Sequence, residues 1–110
     1  MEKFQAEKPD LTLELTTLSG EELELEPTKQ VSGKVAIEIT NKWTILEKKQ
    51  KEDDTISALD MVAIELSYIY PKDKDWFLEN FDFGTLNDIL TYVAQTIGGI
   101  KKKSKKQKQS

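Results

Sequence analysis

The sequence has 110 residues, a formal net charge of −4 at pH 7 and 33% charged residues, and it contains no cysteine, histidine or arginine. A chain of this length forms at most one domain, with a modest core. Without cysteine there are no disulfides or thiolate metal sites, and without histidine the commonest metal ligand and the usual base near neutral pH are missing. The lack of arginine removes the side chain that binds phosphate or guanine through two parallel hydrogen bonds.

The charge is divided between two parts of the chain. Residues 1–100 carry all 20 acidic residues and 10 lysines, a net charge of −10, whereas residues 101–110 carry six lysines and no acid. An acidic body is not typical of a nucleic-acid-binding domain, so we do not expect nucleic acid as a partner. The lysine tail has three interpretations: a solvated end, an electrostatic contact for an acidic partner, or a weak nucleic-acid contact.

The hydropathy of the sequence gives no indication of a membrane-spanning segment or a signal peptide. No apolar run approaches the roughly 20 residues that span a bilayer, and residues 1–10 lack the apolar stretch of a signal peptide. We expect a soluble cytoplasmic protein without a membrane contact. Residues 1–10 are predicted to be flexible, residues 11–100 to form a single α+β domain, and residues 101–110 to be a disordered basic tail.

The first ordered element is a predicted β-hairpin. Leu11, Leu13 and Leu15 alternate with polar residues, Ser19-Gly20 supplies a turn, and alternation resumes with Leu23 and Leu25. Two runs of period 2 around a glycine turn indicate two strands with one buried face. Since an isolated hairpin is only marginally stable in water, its leucine face must pack on the remaining chain.

Residues 28–52 fit two structures. Val35, Ile39, Trp43 and Leu46 recur at helical spacing and lead into a polar, helix-favouring run. Residues 34–40 also alternate and contain β-branched side chains, so a third strand is the alternative. We predict a helix because about 18 residues without glycine or proline are long for a strand.

A second, more apolar helix is predicted after residues 53–55. Asp53-Asp54-Thr55 is expected to provide its N-cap. Its apolar residues follow at steps of three and four and form a wide stripe: Ile56, Leu59, Val62, Ala63, Leu66, Ile69 and Tyr70. Pro71 is expected to end this helix, because proline cannot continue it.

The last third contains a short aromatic helix, a link and a final helix. The short helix is predicted at Asp75–Asn80, followed by an extended link through Phe81 and Phe83 that ends at Gly84. Thr85 is the expected N-cap of the final helix, with Asp88 completing a capping box and Gly98-Gly99 ending the helix. Its predicted apolar stripe consists of Leu86, Ile89, Leu90, Val93 and Ile97. The predicted fold is therefore an N-terminal hairpin packed on three to four helices.

No residue pattern predicts catalysis, metal binding or a cofactor. A calcium loop starting at Asp73 would need glycine where Leu78 stands and glutamate where Gly84 stands. A serine nucleophile would lack a histidine base, and nothing indicates a serine–lysine pair. We expect a protein that is not an enzyme.

The aromatic residues of the last third have two interpretations. Their spacing fits a core, but some of them could instead line a groove that binds a partner helix. On the second interpretation the partner-binding residues are Trp76, Phe77, Phe81, Phe83 and Tyr92.

The sequence resembles the small tail assembly chaperones of long-tailed bacteriophages and prophages of Gram-positive hosts. The resemblance spans residues 11–103 and is carried by LTLELTTLSGEELELEP, VSGKVAIEITNKWTILEK, DWFLENF and GTLNDILTYV before GGIKKK. It implies a protein of the bacterial host cytoplasm that holds the tape-measure protein in solution and recruits tail-tube subunits. It also implies a longer form made by ribosomal frameshifting. Slippery sites favour lysine codons, and Lys101-Lys102-Lys103 and Lys105-Lys106 stand where such a site would be expected. An A-rich heptamer in the gene would test this.

Two other functions are compatible with the same residues. One is a structural component of the virion, such as a head–tail connector protein. The other is a small nucleic-acid-associated regulator acting through the lysine tail. Self-association is open in all three cases.

Overall fold

A computed structural model describes residues 2–6, 9–53 and 55–98 of the chain. Within them, an N-terminal hairpin is followed by four helices: β1 Leu13–Thr16, β2 Glu22–Leu25, α1 Gly33–Glu52, α2 Ala58–Ser67, α3 Lys74–Asn80 and α4 Phe83–Ile97. This arrangement confirms the predicted α+β fold. The predicted disordered tail at residues 101–110 lies outside the described residues.

The hairpin has the predicted two-residue alternation. The antiparallel strands pair Leu13 with Leu25 and Leu15 with Leu23. Leu11, Leu13, Leu15 and Leu25 are buried, and Leu23 is partly buried against the same core. At the turn, Gly20 has φ +92°, a conformation that residues with a Cβ rarely adopt. The glycine therefore has a specific role in closing the hairpin.

Residues 33–52 form a helix, which decides between the two predicted structures. Ser32 caps its start by accepting a hydrogen bond from the Val35 backbone nitrogen at 3.3 Å. Ile39 and Leu46 are buried along the helical stripe, whereas Ile37 is 62% exposed. The alternation of Val35, Ile37 and Ile39 therefore does not mark a strand, because only two of the three side chains face the body of the protein.

The predicted N-cap of the second helix was wrong. The cap of α2 is Ser57, whose hydroxyl accepts a hydrogen bond from the Asp60 backbone nitrogen at 3.1 Å. Asp53 instead ends α1, and its carboxylate accepts hydrogen bonds from the backbone and hydroxyl of Thr55. These bonds lower the Asp53 pKa below its ordinary value. Helix α2 ends at Ser67, four residues before Pro71.

The predicted start of the final helix was also wrong. Asp82 is the N-cap of α4, and its carboxylate accepts hydrogen bonds from the backbone nitrogen and hydroxyl of Thr85. Phe83 and Gly84 are thus helical rather than part of an extended link. The predicted end was correct, because Gly98 is the C-cap.

Replacing Asp82 with alanine should lower the free energy of unfolding, because the carboxylate that caps α4 is lost. Asp88→Ala is the matched control, since this exposed residue is not the cap. Urea unfolding followed by far-UV circular dichroism measures both. An equal or larger loss in the Asp88 variant would contradict the assignment.

Helix α2 is at the centre of the fold and packs against α1, α3 and α4. It is also the most completely buried helix, with Ala63 and Leu66 at 0% exposure. The segment after it anchors the hairpin. The Tyr70 hydroxyl donates a buried hydrogen bond of 2.6 Å to the Leu11 carbonyl, and Thr28 donates to the Ile69 carbonyl. None of the helices in the described residues is long and apolar enough to cross a membrane.

Candidate functional site at the hairpin turn

Two of the five predicted partner-binding residues lie in the core. Phe77 is 0% exposed and Phe81 is 5% exposed. The partly buried Trp76 ring contacts both at an edge-on angle, with centroid distances of 5.1 Å to Phe77 and 5.7 Å to Phe81. The structure therefore supports the core interpretation for Phe77 and Phe81, which a partner could reach only if the fold opened.

Phe83 and Tyr92 do not share a surface. They are nine residues apart on α4, which at 100° per residue places them on opposite sides of the helix. Phe83 is 43% exposed, whereas Tyr92 is partly buried and donates a hydrogen bond of 2.8 Å to the Asp10 carbonyl. Tyr92 thus holds the N-terminal segment against α4. The five residues do not assemble into one groove.

The structure also places the backbone of Leu18, a residue that sequence analysis did not select, against the segment between Trp76 and Phe83. The Leu18 backbone nitrogen donates to the Asn80 carbonyl at 2.9 Å, and the Asn80 side chain donates to the Trp76 carbonyl at 2.8 Å. Phe83 follows Asn80 by three residues. We call Leu18, Trp76 and Phe83 the hairpin-tip patch. It joins the turn of the hairpin to the junction between α3 and α4.

A break in the alternation of the first strand could have revealed Leu18. Residues 11, 13 and 15 are inward-facing leucines, and Thr17 occupies the next inward position at 5% exposure. Its hydroxyl accepts a hydrogen bond from the Glu21 backbone nitrogen at 3.1 Å, which satisfies the buried oxygen. Leu18 falls on the outward position and is 68% exposed. A polar residue inside and a leucine outside reverse the expected pattern and mark this position for a role other than core packing.

Charged groups border the apolar patch. The Lys72 ammonium lies 5.0 Å from the centre of the Trp76 ring, a cation–π contact. Next to Phe83 in the chain, the hydrogen bonds from Thr85 hold the pKa of the Asp82 carboxyl below its ordinary value, so this carboxyl is negatively charged. An apolar surface with charges of both signs at its border suits an amphipathic partner better than a lipid.

Other apolar side chains are exposed elsewhere. Ile37 and Ile45 are each 62% exposed on the side of α1 away from its buried stripe, and Phe4 is 91% exposed in the N-terminal segment. They lie on different elements from the hairpin-tip patch. We use Ile45 below as a control residue of comparable exposure.

Comparison of the chain with protein-family models, curated proteins and solved structures finds no significant match in any of the three. Function must therefore be inferred from the residues, their arrangement and the resemblance described above.

Proposed function

We propose that this protein is a non-enzymatic tail assembly chaperone of a long-tailed phage or prophage. In this role it binds the tape-measure protein in the cytoplasm of the bacterial host and helps to recruit tail-tube subunits. A longer frameshifted form accompanies the short one, with the slippery site in the codons of Lys101-Lys102-Lys103.

The observation that carries the proposal is the order of elements along residues 11–103. The resemblance rests on a hairpin, a helix, an apolar helix, a short aromatic link, a capped final helix and then lysines in the sequence. In the described residues the hairpin is followed by four helices, and the aromatic link corresponds to α3 and the start of α4. The fold is compatible with this order, since the hairpin leucines and the helices share one core.

The hairpin-tip patch is the surface that we assign to the client. Leu18, Trp76 and Phe83 present apolar area on backbone segments that Asn80 fixes through two hydrogen bonds. An amphipathic client helix could place its apolar stripe on this patch, with its polar face toward solvent. The acidic surface of residues 1–100 would keep such a complex in solution.

The proposal predicts that changing the patch impairs the client without affecting the fold. The double variant Leu18→Ser with Phe83→Ser, co-expressed with the tape-measure protein, should reduce the soluble fraction of that protein several-fold, because each serine removes apolar contact area. Far-UV circular dichroism should remain native, since neither side chain belongs to the buried core: Leu18 is 68% and Phe83 43% exposed. The measurement is the amount of soluble tape-measure protein recovered with the chain.

Ile45→Ser is the matched control, because Ile45 is about as exposed as Leu18 but lies on α1. A similar loss of client in both variants would mean that the hairpin-tip patch is not the specific surface. Detection of the protein in purified phage particles would contradict a chaperone and favour the structural virion component.

A further inference from the structure

The second unusual feature of the fold is Glu65, a carboxylic acid buried between α1 and α2. It is 6% exposed, and within the described residues no lysine or hydrogen-bond donor contacts its carboxylate. No side-chain oxygen among those residues is both fully buried and unpartnered, so the Glu65 carboxylate must reach the rim of the interface. An ionised carboxylate in this position lacks both full hydration and a counter-ion.

The groups that face Glu65 from α1 are Trp43 and Glu47, one helical turn apart on the same side. The Trp43 indole nitrogen donates a hydrogen bond of 3.2 Å to the backbone carbonyl of Glu65. Glu47 places a second negative charge near the Glu65 carboxyl. Burial first, and the repulsion from Glu47 second, raise the Glu65 pKa from 4.5 to about 7.

The other charges around α2 do not neutralise Glu65. Lys74 of α3 pairs at 3.8 Å with Asp60, near the opposite end of α2. Lys42 of α1 lies 5.5 Å from the centre of the Tyr68 ring. From α4, Asp88 is a further exposed acid, and on α3 so are Asp75 and Glu79. Within the described residues, the negative charge of Glu65 is therefore removed by protonation of its own carboxylate.

Helix α1 is the element that this charge can displace. It is 20 residues long but buries only Ile39 and Leu46 fully, and α2 is its main packing partner. Helices α3 and α4 also pack against α2, and neither makes more than slight contact with α1. We propose that Glu65 is a proton-controlled latch, which holds α1 against α2 when its carboxyl is neutral and loosens α1 when its carboxyl is ionised. Loosening exposes the apolar stripe of α1. The proposal is independent of the proposed function.

Amide hydrogen exchange of the full chain, read by mass spectrometry, tests the latch. The rates for α1 are compared with those for α4 at pH 5.5 and pH 8.5, after correction for intrinsic exchange. The Glu65 carboxyl ionises at its ordinary pKa of 4.5 when α1 is undocked and at about 7 when α1 is docked. The exchange rate of α1 relative to α4 should therefore rise on the order of tenfold from pH 5.5 to pH 8.5. An unchanged ratio between α1 and α4 would overturn the proposal.

Variants assign the effect to Glu65. Glu65→Gln and Glu65→Met cannot ionise, so the exchange rate of α1 relative to α4 should be the same at both pH values. Glu52 is an exposed acid at the end of α1, and Glu52→Gln should behave as wild type. Glu47→Gln should shift the transition to lower pH without abolishing it, since burial is the larger cause of the shifted pKa. A transition that persists in both Glu65 variants, or that disappears only in Glu47→Gln, would overturn the assignment.

Discussion

Replacing Phe77 with alanine should lower the free energy of unfolding by about 3–5 kcal/mol, the usual cost of removing a phenylalanine ring from a packed core. Phe77 is 0% exposed, and its ring contacts Trp76 and belongs to the cluster that joins the hairpin to the helices. Domains of this size are stable by about 5–15 kcal/mol, so the variant should be close to the limit of folding. Urea unfolding followed by far-UV circular dichroism gives the difference.

Phe83→Ala is the control for this prediction. Phe83 is 43% exposed, so its truncation should change the free energy of unfolding by less than about 1 kcal/mol. A pair of variants with equal losses would show that Phe77 is not the core residue that its burial indicates, or that Phe83 is more tightly packed than its exposure indicates.

The contrast between these two residues shows what the sequence could predict and what it could not. The short stretch from Trp76 to Phe83 contains four aromatic residues, and its spacing alone is compatible with both a core and a groove. Which rings turn inward depends on where α3 ends and α4 begins. Because Asp82 caps α4 and makes Phe83 helical, Phe81 faces the core and Phe83 faces outward.

Periodicity predicted the elements, and local hydrogen bonds decided their ends. The leucine alternation of the hairpin and the stripe through Ile39 and Leu46 are regular enough to identify strands and a helix. Caps are harder to predict, since several residues near each helix start can serve. Ser57 and Asp82 cap α2 and α4 in place of the predicted Asp53-Asp54-Thr55 and Thr85, a difference of only a few residues.

Long-range contacts were beyond the reach of sequence patterns. The hairpin-tip patch depends on the hydrogen bond from Leu18 to Asn80, 62 residues later in the chain, and no periodicity connects these positions. Glu65 was equally hidden, because a glutamate on a helix is normally a solvated residue. Glu65 lies where α1 packs on α2: the Trp43 indole binds the Glu65 backbone carbonyl, and Glu47 is near enough to repel the Glu65 carboxyl.

The burial of Glu65 should make global stability depend on pH in the neutral range. The folded state holds the Glu65 proton up to about pH 7, whereas the unfolded chain releases it near pH 4.5. The folded state thus binds more protons between these values, so this contribution to stability is complete below pH 4.5 and is lost as the pH rises through 7. Glu65→Gln should remove the decline and leave the protein more stable than wild type at pH 8, by on the order of 2 kcal/mol.

The measurement is the free energy of urea unfolding at pH 5, 6, 7 and 8 for wild type and Glu65→Gln. Asp53 and Asp82 do not affect this measurement. Their pKa values are lowered, so their contributions to stability change only near or below about pH 4, where stability is lost as the pH falls. The size of the decline also bears on the latch. When Glu65 ionises, the folded protein either keeps the charge buried or opens α1. The free energy of unfolding falls by the smaller of these two costs. If wild type and variant decline in parallel, the charge of Glu65 is not buried in the folded protein, and neither conclusion about it stands.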